Sequence, residues 1–226
     1  MNTIVFASRK GGSGKSTLTA HLAAFANKPS RRCLLIDADP QGSLTLWHKL
    51  RGTGEPVLRA GTRAIGDMVK AAKREGFDWV FIDTPPNMSA AATEAIRAAT
   101  LVIIPARPTI FDMMAVKETI EHARQLRRPY AVVINSAPAR RDGIESPIVG
   151  QARQGLSRLQ IPVWGGQITS RSNYALSLAS GEGVKEFASE SLAAAEMSRL
   201  WSAIEESVKA INGAHESARS MHRAAA

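Results

Sequence analysis

Cysteine is almost missing from this chain. Of its 226 residues only Cys33 is one, which excludes a disulfide framework and a cysteine-ligated metal site within one copy. Cys33 precedes Leu-Leu-Ile-Asp in a run that reads as a buried strand, so it is expected to be a small core residue. Long apolar runs are also missing. The longest are strand-length pieces such as Leu101 to Pro105, far short of the roughly 20 residues that a membrane-crossing helix needs, so no stable membrane insertion is expected. The opening Met-Asn-Thr-Ile-Val-Phe-Ala-Ser has neither a basic leader nor a small-residue cleavage site, which predicts no secretory signal and a cytoplasmic location. Acidic residues are in deficit, 20 against 29 lysines and arginines, for a net charge of +9. That excess predicts attraction to a polyanion, nucleic acid or an anionic membrane face, without choosing between them.

What is present suffices for one sizeable core. No repeat, low-complexity tract or linker divides the chain, and one domain over 1–212 is expected, with a frayed tail over 213–226. Short β-type runs recur at Thr3 to Ala7, Cys33 to Ile36, Trp79 to Ile82, Leu101 to Ile104, Ala131 to Ile134 and Val163 to Ile168. Helical periodicity fills Ser16 to Asn27, Thr62 to Arg74, Ala90 to Ala99, Phe111 to Leu126 and Pro147 to Leu159. This alternation predicts the α/β class, a mostly parallel twisted sheet with helices on both faces and its chemistry along the rim of strand C-termini. From Met197 onward, Leu200, Trp201, Ile204, Val208 and Ile211 recur at spacings of three and four, the stripe of a docking helix.

Directly after the first strand comes Lys10-Gly11-Gly12-Ser13-Gly14-Lys15-Ser16-Thr17, followed by a helical run. A phosphate chain needs inward-pointing backbone N–H groups, and glycines let the chain turn without a Cβ in the way. A turn that merely caps a helix needs one or two glycines, whereas this one has three, with a lysine and a hydroxyl at the offsets of a phosphate-binding loop. Lys15 is placed for the β- and γ-phosphates, Ser16 for Mg²⁺ and Thr17 for the α-phosphate. Lys10 has two readings, a cation offered to a second subunit or a solvated lysine beside a phosphate site.

Further strands end in Asp37-Ala38-Asp39-Pro40 and in Asp83-Thr84-Pro85-Pro86. An acid at such an end sits at the rim, where Mg²⁺ needs oxygen ligands, although each aspartate could instead cap the helix that follows. Asn135 closes another strand, as a group able to pair with a base edge or as a turn former. Between Arg124 and Arg171 stand eight arginines against Asp142 and Glu145. They would make a phosphate-tracking patch if they share a face, and scattered solvated charge if they do not.

Lys-Gly-Gly-Ser-Gly-Lys-Ser departs from the generic loop, with Arg9 at its first glycine position and Lys10 next. It resembles the deviant Walker A motif of the ParA/MinD family, and the chain looks most like a short ParA without an N-terminal helix-turn-helix domain. The specific motifs lie in 9–46, 77–86 and 101–135. The resemblance implies a P-loop NTPase fold, ATP and Mg²⁺ as cofactors, slow ATP hydrolysis, and a homodimer formed on ATP binding in which Lys10 reaches the partner's nucleotide. It further implies that Asp39 positions the attacking water, that Asp37 supports the metal, that Asp83 is the Walker B acid opening a switch segment, and that Asn135 faces adenine. Pro105 to Pro108 and Phe111-Asp112 read like the stretch lining the family's dimer face. Nonspecific DNA would be met near Ile168 to Asn173 and on the C-terminal helices, through Arg171, Lys185 and Arg199. The function so implied is nucleoid-associated segregation of plasmid or chromosome DNA, or positioning of a cargo, with a centromere-binding or adaptor protein stimulating hydrolysis. Competing readings are a MinD-like membrane-cycling ATPase, a reductase or ligase on the same scaffold, and an adaptor that binds nucleotide without hydrolysing it. Against the membrane reading, Arg199 and Lys209 are matched by Glu205 and Glu206 on the terminal helix.

Overall fold

A computed structural model describes residues 1–224, with the side chains of 215 and 218–224 outside the description. Six strands form one sheet: β1 (Asn2–Phe6), β2 (Cys33–Asp37), β3 (Val57–Ala60), β4 (Trp79–Asp83), β5 (Leu101–Ala106) and β6 (Tyr130–Ile134), in the order β3-β2-β4-β1-β5-β6. Every pairing is parallel. Parallel neighbours cannot be joined by a hairpin, so each return needs a crossover, supplied here mostly by helices.

The period of two along each strand sorts the core into two layers. Ile4, Phe6, Cys33, Leu35, Trp79, Phe81, Leu101 and Ile103 face one cluster. Val5, Leu34, Ile36, Val80, Ile82, Val102 and Ile104 face the other. The first layer is closed by α1 (Lys15–Ala26), α2 (Ser43–Arg51), α7 (Ser172–Ala179), α8 (Val184–Phe187) and α9 (Leu192–Ala224). The second is closed by α3 (Ile65–Arg74), α4 (Ala90–Ala98), α5 (Ile110–Gln125) and α6 (Pro147–Arg158). Buried on both faces, the strands read as the near-continuous apolar runs seen in the sequence.

The stripe from Met197 docks as expected. Trp201 is 3% exposed, its ring 4.8 Å from that of Trp79 and 6.0 Å from that of Phe81. The Arg31 guanidinium lies 4.9 Å above the Trp201 ring and pairs with Glu205 at 2.7 Å.

Several expectations need correction. The frayed tail from 213 is instead a continuation of α9 as far as Ala224, while residues 225 and 226 lie outside the described residues. The one glycine of this stretch, Gly213, costs the helix only about 1 kcal/mol. The Ser217 hydroxyl donates to the Gly213 carbonyl at 3.0 Å within that turn. The strand expected over Val163 to Ile168 is reduced to isolated bridges, Val132 with Val163 and Ala137 with Thr169, because Gly165-Gly166 breaks the run. The Arg153 guanidinium donates to the Trp164 and Gly166 carbonyls at 2.7 and 2.5 Å and holds the segment in place.

Candidate functional site

The loop from β1 into α1 has the geometry that its glycines permit. Gly12 and Gly14 stand at φ 69° and 100°, where a Cβ is strained. A Cβ on Gly14 would also lie 2.0 Å from the Asn135 Nδ2. One at Gly11 or Gly12 would meet no atom within 4 Å, so the space over the loop is open to a ligand. Lys15 begins α1 and is 6% exposed. Burial lowers its pKa, while the Asp83 and Asp39 carboxylates pull the other way. Ser16 and Thr17 are half-buried in the cleft wall, and the buried Ser13 hydroxyl has no partner. Lys10 is half-buried, does not line this cleft, and makes no ion pair among the described residues.

Strand register brings the acids to the loop. Asp37 lies opposite Asp83, and Phe6, just before the loop, lies opposite Asp83 on the other side. All three continue the alternation toward the α1 face. The Asp37 Oδ2 accepts from the Thr45 N–H at 2.8 Å and the Thr45 hydroxyl at 2.7 Å, so half of this carboxylate anchors α2. Its Oδ1 and both oxygens of Asp83 are buried without a partner. Burial pushes the Asp83 carboxyl up to about 7, with Asp37 and Asp39 adding to the rise and Ser16 and Lys15 opposing it. The Ser16 hydroxyl is felt there without reaching hydrogen-bond geometry. Uncommitted buried oxygens are costly and mark where a ligand belongs. These three, beside a hydroxyl, fit a small hard cation that keeps most of its ligands from phosphate and water. Among the described residues no group of three or more His, Cys, Asp or Glu could hold a metal by itself, so a bound phosphate would have to complete the set. Asp39 is half-buried in the cleft wall, its Oδ1 accepting from the Gln41 N–H at 3.0 Å.

The opposite wall was only partly legible. Asn135 is 5% exposed, and its Nδ2 donates to the Ser13 carbonyl at 2.7 Å. One amide N–H expected for a base is thus committed to the loop. Thr169, Ser170, Arg171 and Tyr174 complete the wall of a cleft of about 860 Å³, within the size range of ligand pockets. Behind it stands Glu196, 4% exposed. Its carboxylate accepts from the Thr169 N–H at 3.0 Å, the Arg171 Nε and Nη2 at 3.2 and 2.9 Å, and the Tyr174 hydroxyl at 3.0 Å. Burial alone would raise the Glu196 pKa, but the donors at Arg171, Thr169 and Tyr174 outweigh it and the net shift is downward. In sequence Glu196 is one more acid on a helix.

The three residues expected to meet DNA sit in different surroundings. Arg171 is a cleft residue bound to Glu196 rather than a free surface cation. The Lys185 ammonium lies 5.0 Å from the centre of the Phe25 ring, and Arg199 is exposed without an ion pair among the described residues. The arginines of 124–171 do not share a face. Arg127 and Arg128 precede β6 while Arg140 and Arg141 follow it, at opposite ends of the strand. Arg140 and Arg153 are tied to Glu145, and the Arg124 Nε donates to the Tyr130 hydroxyl.

The chain is similar to the "Maintenance of carboxysome distribution protein A" of Gloeobacter kilaueensis, 36% identical over 125 residues, covering 50% of this chain and 53% of that protein. It is 29% identical over 154 residues to the "Chromosome-partitioning ATPase Soj" of Thermus thermophilus, covering 55% and 62%. It thus spans between about half and three-fifths of the length of these relatives. The solved ATP complex of Cyanothece McdA shares the fold at a TM-score of 0.72 and 18% identity, over 92% of this chain and 96% of that one. Residues 4–184 match the model of the CobQ/CobB/MinD/ParA nucleotide binding domain, and the chain belongs to that family.

Proposed function

We propose that this chain hydrolyses ATP with Mg²⁺ as an ATP-controlled homodimer. The ATP state binds nonspecific DNA, and the cycle segregates DNA or positions a cargo under an adaptor that stimulates hydrolysis. The observation that carries the reading is the convergence of the glycine loop, the buried Lys15 and the uncommitted oxygens of Asp37 and Asp83 at the rim of one parallel sheet. Lys15 and the loop N–H groups hold the phosphates. Ser16, Asp37 and Asp83 hold the metal, which when bound neutralises charge on the phosphate oxygens. Asp39 orients water, and Asn135 stiffens the loop while facing the base. Lys10, turned to no carboxylate and outside its own cleft, serves a second copy, as a cation supplied in trans stabilises phosphoryl transfer. Ile110, Phe111 and Met114, each at least 67% exposed at the start of α5, supply an apolar surface for that copy.

Calorimetry with Mg-ATP, sizing and phosphate release on wild type, Lys10→Ala and Asp39→Ala test the proposal. Wild type is expected to bind and dimerise, Asp39→Ala to dimerise with hydrolysis lowered about 100-fold or more, and Lys10→Ala to bind ATP without the dimer. Absence of ATP uptake by wild type sinks the reading. A strictly monomeric loaded protein sinks the dimer.

A further inference from the structure

The wall facing the glycine loop is held by an acid that the loop chemistry does not use. Glu196 reaches from α9 and gathers four donors, from Thr169, Arg171 and Tyr174. The first two are cleft residues on a non-helical stretch, 168–171, which carries only the isolated bridge at Thr169 before α7 begins. Without Glu196 nothing else among these bonds fixes the Arg171 guanidinium, whose side chain is 24% exposed. Glu196 occupies one edge of the guanidinium, Nε and Nη2, so what Arg171 has left for a ligand is its planar face and Nη1. A planar cation at the wall of a nucleotide-sized cleft is suited to stack on a purine.

We infer that Arg171 contacts the base of the bound nucleotide and that Glu196 is the positioning residue that presents it. The inference rests on the nucleotide reading of the cleft proposed above. It also reassigns Arg171 from DNA to the nucleotide. The Tyr174 hydroxyl, its single proton shared between the Glu196 carboxylate and the Ala193 carbonyl, each at 3.0 Å, keeps α7 and α9 in step behind the wall.

Calorimetry with ATP and with inorganic tripolyphosphate, each with Mg²⁺, separates base from phosphate recognition in wild type, Arg171→Ala, Arg171→Lys and Glu196→Gln. Arg171→Ala is expected to weaken ATP by about five- to thirty-fold while tripolyphosphate stays within about two-fold. Arg171→Lys keeps the charge opposite Glu196, which protects the fold, but lacks the planar face and is expected to lose ATP affinity as well. Glu196→Gln is expected to lower ATP affinity with tripolyphosphate unchanged. Equal ATP affinity in wild type and both Arg171 variants overturns the base contact. So does a result in which Arg171→Ala binds ATP normally and loses DNA at saturating nucleotide. Parallel losses of ATP and tripolyphosphate overturn it too, since they reveal a general collapse of the cleft. Wild type that binds neither ligand defeats the nucleotide reading itself, a separate outcome.

Discussion

At the scale of single residues, the loop glycines are not equivalent. Gly14 combines a backbone angle that disfavours a side chain with an immediate neighbour, Asn135, whereas Gly11 faces open space. Gly14→Ala is therefore expected to cost about 2–4 kcal/mol, strain plus overpacking, and to abolish ATP binding. Gly11→Ala should stay within about 0.5 kcal/mol in stability. Urea unfolding of both variants checks this, and similar midpoints would contradict it. The motif and the strand-end aspartates could be read from the sequence because their chemistry is local, a few residues at fixed offsets. Asn135 could be flagged but not understood, since its bond to Ser13 spans 122 positions. Glu196 was invisible because four separate donors, none of them adjacent to it in sequence, give it its role.

At the scale of elements, α1 is tied to the C-terminal half of the first layer by His21. Its Nδ1 accepts from the Val184 N–H at 3.1 Å, its ring centre lies 5.3 Å from that of Tyr174, and its Nε2 is buried without a partner. Burial lowers its pKa to about 4 from 6.5, against opposing contributions from Tyr174 and Glu186. The unfolded chain takes up a proton below about 6.5 that the folded chain refuses until about pH 4. Stability is therefore complete above that window and declines through it as pH falls, by up to about 3 kcal/mol. Glu196, with its pKa lowered in the fold, loses its contribution in the same direction at still lower pH. His21→Gln should flatten the decline in urea midpoint between pH 7.5 and 5, and identical slopes for the two proteins would refute the assignment. Five of the six strands announced themselves as apolar runs. β3 did not, because a four-residue edge strand paired on one side has little pattern to show. α2 likewise hides behind Gly42, with Leu44 and Trp47 its only buried positions.

At the scale of the whole molecule, charge was legible as a total and illegible as a shape. The net +9 is real, yet the arginines that dominate 124–171 are divided between opposite ends of β6 and partly neutralised by Glu145 and Glu196. Sequence order says nothing about which end of a strand a loop occupies once crossovers return the chain. The apolar start of α5 is the better-defined surface. Asp112 beneath it is 1% exposed and fastened to Arg107 and Thr109, so the turn is rigid while Phe111 projects at 71% exposure. Phe111→Arg should leave unfolding within about 0.5 kcal/mol of wild type yet raise the concentration needed for ATP-driven dimerisation by about ten-fold or more. Analytical ultracentrifugation would read this directly, and an unchanged dimer would place the contact elsewhere.

The tie between Asn135 and Ser13 joins the outermost strand of one edge to a turn laid down 122 positions earlier, with β5 lying between them in the sheet. A growing polypeptide can lay down its glycines long before residue 135 exists to brace them. The loop therefore gains its brace only once β6 stands in the sheet beside β5.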